Sequence, residues 1–513
     1  MNAPKKISPP AANAAPKPNQ RAPISPARRE AQAILLRVER DSAYASELLN
    51  APSMEKLSRE DRSLTYELVM TTLRWQSVLD AAIARYSSQK LSRLDAEVLT
   101  ALRLAACQLL RLSRIPAHAA VHEGVELVKQ SGKRSAVPFA NAVLRKLVAE
   151  AKLSREAKSA QDAKGEANDP TPRDSAPHTA AALSAELAHP EWLAQRWIDM
   201  YGYSTARAIC QAGQQPAPQA LRLAAAEVES ELASAGVTLA PGLLLRSARR
   251  VAGGDLIHSE AFRTGQVAIQ DEASQLLAAL VAISVAPPGV TPDTSPGAVP
   301  DKGNRILDCC AAPGGKTSAI AARLPGAHIT AVELYPHRAR LLRQRVPATV
   351  EIVEGDIREL SFDLPFDAIL ADVPCSGTGT LSAHPEIKWR LQKGDLRGLQ
   401  DLQLAILQAA SRWLAPGGRL VYSTCSLEPE EGEEVIEKFL ASAPGFAVVD
   451  SATLLDKLRR SGELTWQGAP LTRGPYLRTL PGPLSVANDD AQNDEQRNTH
   501  PCDGFFAAVL TRL

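Results

Sequence analysis

The sequence predicts a multidomain chain: an all-α bundle, then a small α+β subdomain, then a doubly wound α/β domain. Three observations predict it. Helical apolar spacing runs without a strand signal from about Arg28 to Leu147. From Arg305 onward, strand and helix patterns alternate, which implies βαβ units and a mostly parallel sheet. Between these regions lie short strand-like pieces with one helix. At 513 residues the chain is long enough for more than one hydrophobic core.

Residues 1–27 read as a disordered basic tail: residues 1–29 hold seven prolines and six Lys or Arg, with no acid before Glu30. Such a tail either touches phosphates or is simply solvated. Residues 28–150 form the bundle. Ile34, Leu35 and Val38 mark its first helix, Ser58 is placed to cap another, and Leu79, Ile83 and Tyr86 share a face. Val98, Leu102, Ala105 and Leu109 form an apolar stripe, which Pro116 ends. His118 and His122 are four apart, as ligands would be, but nothing nearby completes a site. Residues 151–187 lack a sustained apolar face and read as a linker. Residues 188–264 form the small subdomain. It opens on a helix with Trp192 and Trp197, expected to pack in its core, and continues with strand-like Ala220–Leu223 and Leu243–Leu245 around a helix near Val228–Ala235. Residues 265–513 form the last domain, interrupted at 283–304 by a Pro- and Gly-rich surface insertion.

In that domain strands are expected at Ile306–Asp308, His328–Glu333, Thr349–Val353, Ala368–Ala371, Arg419–Ser423 and Phe505–Leu510. Ligands of such sheets sit at the carboxyl ends of the strands. The first strand runs into Cys310-Ala311-Ala312-Pro313-Gly314-Gly315-Lys316, a small-residue turn that opens a helix. Glycines let the backbone approach a ligand, and a helix N-terminus offers unpaired N–H groups. The glycine spacing is neither GxGxxG nor that of a phosphate loop, which argues against a nicotinamide oxidoreductase. Three acids stand at later strand ends: Glu333, placed to accept two ribose hydroxyls, Asp356, and Asp372. Cys375 and Cys425 lie just past the fourth and fifth strands, in polar small-residue turns. Buried cysteine is usually inert packing, which suits Cys107, Cys210 and Cys309 but not these two. Cys425 precedes an acidic helix start, which opposes thiolate formation.

Bulk charge excludes little: the net charge is +1, so any basic surface is local. The seven cysteines show no CxxC pair and no zinc spacing, which fits reduced thiols in a cytoplasm. No apolar run is long enough to span a membrane, and no secretory signal is expected.

The loop Cys310–Lys316, together with Pro374-Cys375 and Thr424-Cys425-Ser426, resembles RNA cytosine-5 methyltransferases. Phe139–Arg145 and the helix order resemble the NusB antitermination family. Gly265–Leu276 and His384–Arg390 also match the methyltransferase pattern. Bundle and catalytic domain together are similar to the ribosomal RNA small-subunit methyltransferase B family. The resemblance implies a Rossmann-like methyltransferase domain, S-adenosylmethionine as cofactor, 16S rRNA as partner, no membrane, and a monomer. It places the cofactor on Cys310–Lys316, Glu333, Asp356 and Asp372, and substrate on Lys388, which either contacts RNA or supports its loop. In this family the Thr-Cys cysteine attacks cytosine C6 and the Pro-Cys cysteine assists release. Carried over, Cys425 is the nucleophile, Cys375 the release residue, and Asp372 reads the base on its Watson–Crick edge. DNA enzymes use the Pro-Cys cysteine to attack, so chemistry alone leaves the order open. Glu333 stands where the family usually has Asp, and Cys309 where an apolar residue is common. The alternatives are the same chemistry on tRNA or 23S rRNA, or a non-catalytic RNA-binding assembly factor.

Overall fold

The computed structural model describes residues 24–163, 178–216, 219–285, 303–482 and 499–513. Most of the expected tail, residues 164–177 of the expected linker and residues 286–302 of the expected insertion lie outside the described residues. Among the described residues the chain forms two compact units. One holds 24–43, 47–72 and 82–161; the other holds 44–46, 73–81 and the described residues from 162 onward.

The first unit is helical. Its opening helix, Pro26–Arg40, is capped by Ser25, whose side chain accepts from Arg28 N. The first helix therefore begins before the expected boundary at 28. Arg28 is not a tail charge: it is buried, donating to Gln108 Oε1 at 2.7 Å and pairing with Glu123 at 3.1 Å. Ser58 caps Arg59–Arg74, accepting from Asp61 N at 3.1 Å. The expected stripe on Ala96–Leu110 is buried throughout. The helix Ala117–Gln130 lies so close that a Cβ on Gly124 would sit 2.8 Å from Ala105 Cβ, a contact that only glycine permits. The last helix, Val137–Ala163, runs well into the stretch expected as linker, and Ala180–Leu187 is helical too.

The second unit carries two sheets. The smaller joins β1 (Ala220–Leu223), β2 (Thr238–Pro241), β3 (Ala248–Gly253) and β4 (Val267–Ile269) in the order β2-β3-β1-β4, all antiparallel. β4 lies past the boundary expected at 264. Leu243–Leu245 is not a strand: its three N–H groups donate to the buried Glu272 carboxylate at 2.7–3.0 Å, a stronger demand than a ladder. Trp197 is fully buried, as expected.

The larger sheet comprises β5 (Arg305–Asp308), β6 (His328–Glu333), β7 (Glu351–Glu354), β8 (Phe366–Asp372), β9 (Leu414–Thr424), β10 (Phe446–Val449), β11 (Thr472–Arg473), β12 (Tyr476–Arg478) and β13 (Phe506–Arg512). Its order is β11-β12-β13-β9-β8-β5-β6-β7, with β10 also on β13. The run β9-β8-β5-β6-β7 is parallel, and β10 to β13 are antiparallel. The sheet is thus mixed rather than mostly parallel, because the chain after β9 returns beside it. Two apolar cores cover its faces, one built on Ile306, Ala331 and Val421, the other on Leu307, Ile369 and Tyr422. Strand order reverses at β5, whose neighbours are β6 and β8. A crevice opens at the carboxyl end of such a strand, where the Cys310–Lys316 loop leaves the sheet.

Candidate active site

The loop is anchored before it turns. Asp308 is buried, and its Oδ2 accepts from Thr317 Oγ1 at 2.7 Å; burial pushes its carboxyl up to about 6. Its Oδ1 is buried and has no hydrogen-bond partner among the described residues. Cys309 packs into the core, and Ala311 N donates to Val332 O at 2.9 Å. Gly314 has φ +104°, and a Cβ there would lie 3.0 Å from Leu342 and Val346. A Gly314→Val change would therefore strike the helix behind the loop and distort the fold, so it is no clean test of the cofactor site.

Glu333 ends β6 almost fully buried. Its Oε1 accepts from Tyr335 N at 2.9 Å, and Arg338, 3.8 Å from Oε2, donates to Ala312 O at 2.9 Å. Arg338 thus ties the acid to the loop. Asp356 is gripped by Arg358, whose hydrogen bonds hold its carboxyl below the usual range. An orphaned buried oxygen on Asp308, a loop of small residues and a strand-end acid facing it fit a nucleoside cofactor. Cys310–Lys316 and Glu333 would hold it, with Asp356 close by along the same sheet edge. Glu333→Ala, which removes an ionised acceptor, should weaken S-adenosylmethionine roughly 10- to 100-fold in calorimetry without changing the circular dichroism; unchanged affinity would remove Glu333 from the site.

Beside this loop β8 and β9 end together. Cys375 Sγ and Cys425 Sγ are 3.2 Å apart, both half-buried. The contact with Cys425, then burial, hold the Cys375 thiol well above its usual range. Asp372 Oδ1 accepts from Ser423 Oγ at 2.8 Å, and its Oδ2 lies 2.7 Å from Lys316 Nζ. Burial opposes the Lys316 charge, but Asp372 outweighs it and holds the ammonium above its ordinary value. Lys316 Nζ also lies 5.2 Å from the Phe505 ring centroid. The loop lysine and the β8 acid are therefore one ion pair, which nothing in their sequence spacing shows.

The acidic run after Cys425 does not face the thiol as expected. Glu428 turns to Arg196 at 2.8 Å and Trp197 Nε1 at 3.1 Å, and Glu430 to Arg196 at 2.6 Å. Of the two roles expected for Lys388, its burial fits support of its loop and not a contact with substrate. It is 1% exposed and donates to Arg74 O at 3.0 Å. Burial drives its pKa far below the ordinary lysine value. It supports its loop from within. Lys388→Met removes a buried amine of similar length, so it should raise stability by about 1–2 kcal/mol. The KM for RNA should stay within twofold, and a tenfold rise would restore the contact. Among the described residues no group of His, Cys, Asp or Glu is arranged to hold a metal, His118 and His122 included. No helix there is long and apolar enough to cross a membrane.

Comparison with known proteins gives concordant matches along the chain. Residues 25–149 match the NusB family model, 189–251 the ferredoxin-like domain of RsmF/B-like methyltransferases, and 298–511 the model described as 16S rRNA methyltransferase RsmB/F. The chain is 32% identical over 426 residues to a probable ribosomal RNA small subunit methyltransferase B of Bacillus subtilis, covering 80% of this chain and 87% of that one. It is 33% identical over 418 residues to ribosomal RNA small subunit methyltransferase B of Pseudomonas putida, covering 78% and 86%. In fold it is similar to the crystal structure of PH0851, with a TM-score of 0.69 at 21% identity, covering 96% of this chain and all of that one.

Proposed function

Because this chain belongs to the RsmB/F family of ribosomal RNA methyltransferases, we propose that it methylates C5 of a cytosine in 16S rRNA, with Cys425 bonded to C6 during the reaction. Its cofactor is S-adenosylmethionine, which when bound supplies the methyl group. The observation that carries the cytosine-5 reading is the pair of sulfurs 3.2 Å apart at two adjacent strand ends.

Cytosine C5 is a poor nucleophile until C6 is substituted. Cys425 as thiolate forms the C6–S bond, and the displaced C5–C6 electron pair makes C5 reactive. Once C5 carries the methyl group, a base from solvent takes its proton, leaving the C–H electron pair on C5. The electron pair then re-forms the C5–C6 double bond and expels Cys425. Cys375, kept protonated by its surroundings, is placed to donate its S–H to the Cys425 thiolate before attack. At release the same S–H donates a hydrogen bond to the Cys425 sulfur as it departs as thiolate. Asp372, anchored by Ser423 and Lys316, presents a fixed carboxylate to the base edge, where a flipped cytosine is read. Arg478, buried and paired with Glu433 while donating to Ser426 O at 2.8 Å, braces the Cys425 turn from behind.

Bisulfite sequencing of 16S rRNA tests the substrate. One cytosine should lose its methyl mark in a strain lacking this protein and regain it on complementation. Unchanged 16S rRNA with a lost mark in tRNA or 23S rRNA would move the substrate there. If every RNA keeps its marks, the reading as a non-catalytic assembly factor replaces it.

A further inference from the structure

The strongest unassigned group beside the site is Glu431, in the short turn Pro429–Glu431 after β9. It is completely buried. Its Oε1 accepts from Ser376 N at 2.8 Å and from Gln403 Nε2 at 2.9 Å. Its Oε2 accepts from Ser376 Oγ and Ser426 Oγ, both at 2.5 Å. Ser376 directly follows Cys375, and Ser426 directly follows Cys425. One carboxylate therefore holds the residue after each cysteine. Four donors converge on two oxygens, which is the full capacity of an ionised carboxylate and more than a neutral amide accepts. The Gln403 amide also donates to Pro374 O at 2.9 Å, reaching the residue before Cys375, and Tyr422 OH fixes the Glu431 carbonyl at 2.7 Å.

We infer that Glu431 is a positioning residue that sets the distance between the Cys375 and Cys425 sulfurs, and through it the release step. The inference rests on the two-cysteine reading above. A buried acid that served only packing would lower stability when removed. It would have no reason to bind one polar group on each cysteine turn, and its loss would not selectively separate the sulfurs.

The test uses the full chain and a readout that needs no RNA. Diamide takes two electrons and two protons from the two thiols, becoming the hydrazine and leaving a Cys375–Cys425 disulfide. The rate is followed by mass spectrometry of the joined peptides. In Glu431→Ala that rate should fall at least tenfold. In Glu431→Gln, which keeps the shape but turns two acceptor positions into donors, it should fall severalfold. Methylation kcat should drop about 100-fold and about tenfold respectively, with the KM for RNA within threefold and cofactor affinity within twofold. If Glu431→Ala does not fold, Glu431→Gln decides. A folded variant with wild-type disulfide rate and kcat overturns the inference. So does a fall in kcat with the disulfide rate unchanged, because the distance would then not be what Glu431 sets. Failure of the covalent reading looks different: no RNA adduct forms with the wild type or Cys375→Ala, while the disulfide rates still depend on Glu431.

Discussion

Cys375→Ala protein mixed with 16S rRNA and S-adenosylmethionine should run on a denaturing gel as a protein–RNA conjugate, and Cys425→Ala protein should not. The two variants differ in kind. Without Cys425 no sulfur adds to C6 and C5 stays unreactive, so methyl transfer should fall by roughly 10⁴-fold or more. Without Cys375 attack and transfer proceed, but the methylated base stays bonded to Cys425. Total turnover falls in both, so an activity assay alone confuses them. The 3.2 Å separation sharpens the expectation, because a thiol that close to the attacking sulfur is in place for the proton movements of release. A conjugate from Cys425→Ala and none from Cys375→Ala would exchange the roles. Conjugates from neither would leave cytosine attack without support and favour a different methyl acceptor.

How much of this was legible in the sequence follows from which interactions are local. The helix stripe Val98–Leu109, the Ser58 cap and the strand Ile306–Asp308 depend on neighbours a few residues away, and the structure has all three. Strand ends could be read because apolar runs stop at Asp308, Glu333, Asp372 and Thr424. The non-local partners could not. Leu243–Leu245 has a strand-like composition, but Glu272, far along the chain, takes its N–H groups. For Lys388 the resemblance leaves substrate contact and loop support both open; lysine is rarely buried, and only the fold shows the Arg74 carbonyl that accepts from it. The acids after Cys425 look like one negative patch in sequence; in space they face Arg196, Trp197 and two serines. A usable signal existed for Glu431: both cysteines are followed by serine, and paired hydroxyls at adjacent strand ends call for a shared acceptor.

The Lys316–Asp372 pair carries the second large effect. Asp372→Asn keeps the shape but leaves Lys316 Nζ without its anion. Removing one member of a buried pair costs about 3–5 kcal/mol. Here the side chains are 18% and 24% exposed, so roughly 2–3 kcal/mol is expected after screening. Methylation should fall about 10³-fold if, as proposed above, the same carboxylate reads the base. Adding Lys316→Met to Asp372→Asn removes the stranded charge, so the double variant should regain most of the lost stability and none of the activity. The pair also sets an alkaline limit. Lys316 titrates above its ordinary value of 10.5 in the folded protein because Asp372 stabilises the ammonium. That contribution is complete below 10.5 and is lost as pH rises through the raised value. Denaturant midpoints of wild type and the double variant should therefore converge as pH rises through the raised Lys316 value. Stability losses that simply add in the double variant would mean that the two groups do not act as a pair, and recovered activity would mean that Asp372 serves only to neutralise Lys316.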